Sequence, residues 1–207
     1  MELSVNSIVK RKDARDGGLI GGFFRFAAGG DVYGISCNHV IANINQCSVG
    51  DVITDVNNKP VGILENWLLL DNTKYNRAEF ALFKVNAGFN PVWTLKDGSF
   101  KPNGFAMPAL NSVVDFICSD GIKHGIVSDI RHSVIIPLNS LDYEFINCIQ
   151  VDAMPGEQFS KPGHSGGAVY IGDSLLGIIL GISEDSTKTY LVPFINGILS
   201  FVNLRIN

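Results

Sequence analysis

A serine stands in a glycine-rich segment, residues 162–167, that has the properties of a nucleophile loop. A serine hydroxyl attacks a carbonyl group effectively only when nearby donors stabilise the oxygen that becomes negative. Gly163 lets the chain turn so that its own N–H and that of Ser165 converge on one point. Gly166 and Gly167 leave space for a substrate above the hydroxyl. The segment predicts Ser165 as nucleophile and the N–H groups of Gly163 and Ser165 as an oxyanion hole.

A histidine upstream of this loop can serve as the base. His39 follows an apolar stretch typical of a β-strand and stands where a short helical turn is expected to begin. The glycine-rich segment alone is compatible with an ordinary tight turn, and the histidine alone with a structural role in the core. The two motifs in one chain favour a nucleophile and its general base.

These two motifs, residues 38–41 and 163–167, resemble those of the trypsin-like (chymotrypsin-fold) serine peptidases, most of all the bacterial intracellular kind. The resemblance covers roughly residues 18–204. It implies an acidic residue in a strand of the pattern Asp-X-Ala-Leu, and Glu79 stands at that position. Glutamate departs from the family's aspartate, and Asp71 is the alternative residue for orienting the histidine.

The resemblance also implies a mechanism. His39 takes the proton of Ser165 during attack on the peptide bond, an acyl-enzyme forms, and Glu79 holds the imidazole in the correct tautomer. No cofactor and no metal is expected, since the spacing of the cysteines and of His124, His132 and His164 suits no structural zinc site. The expected partner is a peptide or protein substrate.

Short β-like runs alternate with turn signals along the chain, which predicts an all-β fold. With the family resemblance, the prediction is two antiparallel six-stranded β-barrels followed by a C-terminal helix after Pro193, where apolar residues recur at helical spacing. The expected division is a leader (1–17), an N-terminal barrel (18–90), a linker rich in proline and polar residues (91–110) and a C-terminal barrel with the terminal helix (111–207).

By the family's layout, residues before the nucleophile loop and in a later strand line the primary specificity pocket. The predicted substrate-binding residues are Phe159, Ser160, Ile179, Leu180 and Gly181. No acidic residue stands at the pocket base, so a Lys or Arg side chain would be buried there unpaired. Small or apolar side chains are favoured.

The residue before the nucleophile points to the mode of control. In activatable members of the family this residue is an aspartate that captures a newly released N-terminus, and here it is His164. Histidine cannot form that ion pair with an ammonium group. The loop is therefore expected to be competent from synthesis or to be ordered by an activating partner protein.

Composition narrows the class of protein. The net charge of −4 and the pI near 5.5 argue against nucleic-acid binding. No signal peptide or membrane span is expected, which predicts a cytoplasmic protein with four free, buried cysteines. The leading function is a serine endopeptidase. A latent protease switched on by a partner or effector, and a peptide-binding pseudoprotease, are the alternatives.

Overall fold

The computed structural model describes residues 1–26, 29–93 and 101–207. In these ranges the chain forms strands and two short helical turns, α1 (Asn38–Ile41) and a 3₁₀ helix (Ile198–Ser200). The strands are β1 (Glu2–Ser4), β2 (Ile8–Arg11), β3 (Gly18–Leu19), β4 (Gly22–Phe26), β5 (Tyr33–Ser36), β6 (Val52–Asp55), β7 (Pro60–Trp67), β8 (Ala81–Val85), β9 (Asn90–Val92), β10 (Gly104–Phe105), β11 (Val113–Cys118), β12 (Gly121–Leu138), β13 (Leu141–Ala153), β14 (Ala168–Ile171), β15 (Ser174–Ile182), β16 (Lys188–Pro193) and β17 (Leu204–Ile206).

The first large sheet comes from the N-terminal half of the chain, with one strand added from the C-terminus. Its strand order is β17-β4-β5-β8-β7-β6-β2-β3. Strands β4 and β5 form an antiparallel pair, whose register places Gly22 opposite Ile35. Phe23, Ile35 and Phe83 are fully buried on this sheet. This packed sheet is the support from which α1 emerges.

The second large sheet contains strands from the C-terminal half. Its order is β10-β15-β14-β11-β12-β13-β16, and β15 also pairs with β16, so that six of its strands form a ring. The ring pairs are antiparallel, whereas β10 joins β15 in parallel. Phe116, Val151 and Phe159 belong to a buried cluster inside it. The nucleophile loop lies immediately before β14 in this sheet.

The all-β prediction is confirmed. The described first sheet has eight strands, and the second is ring-like. Closure into two six-stranded barrels stays a prediction, as does the predicted division into four segments. Residues 94–100 of the predicted linker and residues 27–28 after β4 lie outside the described residues.

The predicted C-terminal helix is wrong. After Pro193 the chain makes turns, one short 3₁₀ helix and then strand β17, which pairs antiparallel with β4. Asn196 has φ +62°, a left-handed conformation that interrupts an α-helix, and Gly197 is also non-helical. The apolar residues at helical spacing are buried by a turn: Phe194 and Ile198 are fully buried.

The N-terminal residues take part in the sheets. Strand β1 pairs in parallel with β9, and β2 pairs with both β3 and β6. Leu3, Val5 and Val9 are buried in the core. These residues therefore contribute to packing.

The predicted state of the cysteines is confirmed: Cys37, Cys47, Cys118 and Cys148 are free and buried. Across the residues that the structure describes, no helix combines the length and apolar character needed to cross a membrane.

Candidate active site

Strand β5 and helix α1 position His39. The strand ends at Ser36 and α1 begins at Asn38, as the apolar stretch followed by a turn predicted. Asn38 is fully buried, and its Nδ2 donates hydrogen bonds to Asn45 Oδ1 (2.8 Å) and to the Leu68 carbonyl (2.7 Å). These bonds fix the short helix, which has no side-chain N-cap. His39 is thus carried on a rigid turn.

His39 is bound to Glu79 by two hydrogen bonds. Nδ1 of His39 lies 2.5 Å from Oε1 of Glu79, and the backbone N–H of His39 donates to the same oxygen at 2.8 Å. Glu79 is fully buried just before β8, whereas the His39 side chain is 17% exposed. The imidazole therefore has one edge anchored to a carboxylate, and a small part of the ring is exposed at the surface.

The second carboxylate oxygen of Glu79 is in an unusual position. Oε2 is buried and has no hydrogen-bond partner among the described residues. Cys37 lies beside it: burial, and then the negative charge of Glu79, raise the pKa of the Cys37 thiol well above its ordinary value. Cys37 is thus a neutral thiol next to the carboxylate.

The alternative acid, Asp71, does not contact His39. Its Oδ1 accepts hydrogen bonds from the N–H (2.8 Å) and hydroxyl (2.7 Å) of Thr73, which lower the pKa of the Asp71 carboxyl. Asp71 also forms an exposed ion pair with Lys74. Of the two acids considered from the sequence, the structure brings only Glu79 to the histidine.

Two consecutive turns shape the nucleophile loop. The His164 N–H donates to the Lys161 carbonyl (3.1 Å) around Gly163, which has φ +90°. The Gly167 N–H then donates to the His164 carbonyl (3.0 Å) around Gly166, which has φ +86°. A positive φ at the third residue of such a turn requires glycine or a residue that tolerates the left-handed region. The glycine spacing in the sequence follows from this backbone path.

The loop leaves two backbone donors free. Within the described residues, the N–H groups of Gly163 and Ser165 donate no hydrogen bond, whereas the His164 N–H between them is used within the first turn. Gly163 is exposed and Ser165 is half-buried, so both N–H groups are accessible to a ligand. Two accessible donors, one of them on the serine itself, are suited to bind an oxyanion.

Hydrogen bonds to Leu19, and through the Ile179 carbonyl to Cys37, link the nucleophile loop to the first sheet and to the residues before His39. The Gly166 N–H (2.7 Å) and the Cys37 thiol (3.3 Å) both donate to the carbonyl of Ile179. The Leu19 N–H donates to the Ser165 carbonyl at 2.7 Å. Gly166 lies so close to the first sheet that an added Cβ would be 2.5 Å from Ser36 Oγ. Only glycine fits at this junction.

The Ser165 hydroxyl points toward the second sheet. Its Oγ donates to the Leu180 carbonyl at 3.5 Å, and no hydrogen bond joins Ser165 to His39 among the residues that the structure describes. Hydrogen bonds between catalytic groups are often long or absent without substrate. Rotation of the hydroxyl is needed before a proton passes between these two side chains.

His164 is held inside the second sheet. Its ring is buried against Phe116, with 4.9 Å between ring centroids, and its Nδ1 accepts a hydrogen bond from the Lys161 N–H at 3.3 Å. Burial, and next the positive charge of Lys161, lower the pKa of His164. A neutral imidazole therefore occupies the position before the nucleophile and holds the loop through a backbone bond.

Four of the five predicted pocket residues are buried. Phe159 packs against Phe116 at a centroid distance of 6.0 Å, and the Ser160 hydroxyl shares a hydrogen bond of 2.6 Å with Thr189. Ile179 and Leu180 are also buried, and Gly181 alone is partly exposed. Phe159 is almost completely buried in the core of the second sheet.

Asn6 is a supporting residue that sequence reasoning missed. Its Nδ2 donates to the Ile117 carbonyl (2.5 Å), and its Oδ1 accepts the N–H of Ala168 (2.8 Å), three residues after Ser165. Asn6 has φ +59°, so the sequence signals only a turn at this position. Its long-range partners belong to the other half of the chain and have no local signature.

The backbone closely matches solved bacterial serine proteases. The Nocardiopsis protease NAPase superposes with a TM-score of 0.74 at 16% identity over 100% of both chains. A chymotrypsin of Cellulomonas bogoriensis gives 0.72 at 18% identity, over 100% of this chain and 99% of that one. Protease A of Thermobifida fusca gives 0.72 at 13% identity over 100% of both chains.

The fold is chymotrypsin-like. No model of a known protein family and no curated protein matches the sequence. At identities of 13–18% the likeness shows the fold alone, so the chemistry must be argued from the side chains. In this chymotrypsin-like fold His39 and Glu79 lie on the first sheet and Ser165 on the second, and hydrogen bonds hold the two segments together.

Proposed function

We propose that this protein is a serine endopeptidase that hydrolyses peptide bonds through an acyl-enzyme, with Ser165, His39 and Glu79 as a triad. The pair of N–H groups at Gly163 and Ser165 carries the proposal, because neither donates to another described residue and both are available to an anion that forms at the serine. The anchored His39–Glu79 pair supports it independently. The fold of the structural relatives is consistent with the same chemistry.

Acylation begins when Ser165 Oγ turns from Leu180 toward His39. His39 Nε2 takes the hydroxyl proton as Oγ bonds to the substrate carbonyl carbon, and the carbonyl oxygen becomes an anion held by Gly163 and Ser165. His39 then gives the proton to the departing amine as the C–N bond breaks. Water, activated by His39 in the same way, releases the acid and restores the serine.

Glu79 acts through His39. Accepting the Nδ1–H leaves Nε2 with its lone pair free, which is the tautomer that a base requires. When the imidazole becomes positive, the buried carboxylate stabilises it in a medium of low dielectric constant. The additional bond from the His39 N–H holds the same carboxylate oxygen of Glu79 in place.

The pocket residues support a preference for small or apolar side chains. Phe159, Ile179 and Leu180 are apolar and buried, and the hydroxyls of Ser160 and Thr189 bind each other. An incoming charged side chain would meet no counter-charge from these residues and would lose its hydration. Substrates with alanine, valine or leucine before the cleaved bond fit this lining best.

Labelling with a fluorophosphonate tests the proposal, because the reagent reports an activated serine without a known substrate. The wild type is expected to be labelled at Ser165, and Ser165→Ala to be unlabelled. Ser140→Ala is the matched control, since Ser140 is exposed on the turn between β12 and β13. Stoichiometric labelling elsewhere, or none after incubation with peptide libraries, would refute an active peptidase.

A latent protease is the second candidate, favoured by the Ser165 hydroxyl being bound to Leu180 and not to His39. In this case a partner or bound peptide must shift the hydroxyl toward the histidine. A labelling rate that is near the background alone and rises at least tenfold with a peptide or partner would favour latency. A fast rate for the isolated protein would exclude it.

A further inference from the structure

Behind the nucleophile loop, three potential metal ligands come together. The ligand atoms of Cys118, Asp120 and His164 all lie within 4.8 Å of one another. Cys118 ends β11, Asp120 lies in the turn to β12, and His164 precedes Ser165. The sequence predicts no metal site, because His164 stands more than forty residues after Cys118 and Asp120 and joins them only through the fold.

We propose that these three residues form a regulatory site for Zn²⁺ or a similar borderline-soft divalent cation. A thiolate, an imidazole and a carboxylate match the ligands that zinc prefers, and three protein ligands leave a fourth position for water. Tetrahedral zinc with bonds of 2.0–2.3 Å needs ligand atoms about 3.3–3.8 Å apart. The observed 4.8 Å limit requires an adjustment on the order of 1 Å.

The surroundings allow that adjustment. Asp120 is exposed, and its present partners are the Ser119 hydroxyl and Lys161, whose side chain is 47% exposed and free to leave. The Cys118 thiol makes one long contact, to the Gly121 carbonyl at 3.6 Å. Binding releases the thiol proton to solvent and exchanges the Asp120–Lys161 ion pair for Asp120–metal coordination.

Metal binding must alter the nucleophile loop whichever ring nitrogen of His164 is used. If Nδ1 binds the metal, it no longer accepts the Lys161 N–H. If Nε2 binds, a neutral imidazole carries its proton on Nδ1, which again excludes that bond. Both routes remove a hydrogen bond that holds residues 161–164, next to the N–H groups of Gly163 and Ser165. The bound metal therefore lowers the reactivity of Ser165, a consequence that depends on the proposed function.

Cobalt(II) is the probe for the site, because a thiolate ligand gives a sulfur-to-cobalt charge-transfer band. The full-length Ser165→Ala protein, reduced and free of metal, is titrated with Co²⁺, and Zn²⁺ is then added as a competitor. The expected result is saturation at one equivalent and displacement by Zn²⁺. Cys118→Ser should abolish the band, and Asp120→Asn should weaken binding at least tenfold. Absence of the band from the parent protein would overturn the site.

Two cysteine controls locate the metal. Cys47→Ser should keep the band, since Cys47 belongs to neither three-ligand group found among the described residues. Cys37→Ser tests the other group, Cys37 with His39 and Glu79. Loss of the band in Cys37→Ser, or its persistence in Cys118→Ser, would overturn the proposed site.

The functional arm compares fluorophosphonate labelling with and without Zn²⁺. The labelling rate of the wild type should fall at least tenfold when Zn²⁺ saturates the site, and EDTA should restore it. The Asp120→Asn variant should need at least tenfold more Zn²⁺ for the same fall. An unchanged wild-type rate with the cobalt band present would overturn the coupling to Ser165 while leaving the site. A wild type that is never labelled would refute the proposed peptidase, and the cobalt titration would still test the site.

Discussion

The His39 side and the Ser165 side of the candidate active site are stabilised by different interactions. His39 is fixed by a buried carboxylate that accepts two of its N–H groups. Ser165 is positioned by two glycine turns and by backbone hydrogen bonds from neighbouring segments, and its own hydroxyl has a single long contact. The first side depends on one charged side chain, whereas the second depends on many weaker backbone contacts.

This difference predicts how each side responds to substitution. On the His39 side, exchange of one carboxylate oxygen of Glu79 for an amide nitrogen should lower the rate of hydrolysis while the backbone stays in place. On the Ser165 side, supporting residues should affect stability and loop order together. Replacement of the nucleophile Ser165 does not distinguish the two sides, but it has the largest expected effect on activity.

Ser165→Ala should lower peptide hydrolysis by roughly 10⁶-fold, because no other group supplies the attacking oxygen. The thermal midpoint should be nearly unchanged, since the hydroxyl makes only one contact at 3.5 Å. Hydrolysis of a peptide substrate and a thermal melt measure the two effects. Activity that survives the substitution would show that another residue attacks.

Glu79→Gln should lower kcat on the order of 10⁴-fold, the loss expected when the acid of a triad becomes an amide. The amide can donate to Nδ1 and so favours the wrong tautomer of His39, with little change in shape. Asp71→Asn is the matched control, because the Asp71 side chain is exposed and does not contact His39. Its kcat should stay within about twofold of the wild type, as for ordinary surface changes.

Glu79→Asp sharpens this test of the His39 side. The shorter side chain cannot keep both the Nδ1 bond and the His39 N–H bond without movement of the backbone before β8. We expect an intermediate loss of kcat, smaller than for Glu79→Gln because the charge and the tautomer are retained. A loss as large as that of Glu79→Gln would mean that side-chain reach matters more than charge.

The parts of the molecule that the sequence predicted are those with local signatures. The glycine turns, the strand before His39 and the acidic position just before β8 all show in short segments. The C-terminal helix was predicted wrongly because burial of Phe194 and Ile198 gives the same spacing as a helix, while the left-handed Asn196 breaks it. The roles of Asn6 and Cys37 depend on residues more than a hundred positions away, for which no local pattern exists.

Asn6→Asp tests the Ser165 side. A carboxylate loses the donor to the Ile117 carbonyl and places a negative charge against that oxygen, but it still accepts the Ala168 N–H. We expect a loss of about 1–3 kcal/mol in the free energy of unfolding, the cost of an unpaired buried polar group. Urea denaturation measures it. Asn57→Asp, in an exposed turn, is the matched control.

The accompanying change in labelling decides between backbone support and simple packing. If Asn6 supports the loop, Asn6→Asp should also slow fluorophosphonate labelling of the folded protein severalfold. Stability that falls while the labelling rate is unchanged would mean that β14 and the nucleophile loop are positioned independently of the N-terminal segment.

The smallest expected effect concerns pH. Burial lowers the pKa of His164 in the folded protein, so between that value and about 6.5 the unfolded chain binds more protons than the folded one. The contribution of His164 to the free energy of unfolding is therefore full above about pH 6.5 and is lost as the pH falls toward the folded pKa.

His164→Asn keeps an acceptor near the Nδ1 position but does not titrate, and it should flatten this part of the stability curve. Urea denaturation from pH 7.5 to 5 with EDTA present measures the slope, and His124→Asn, an exposed histidine, is the control. An unchanged slope in His164→Asn would mean that protonation of His164 does not weaken the nucleophile side, and that its bond to the Lys161 N–H contributes little to holding the loop.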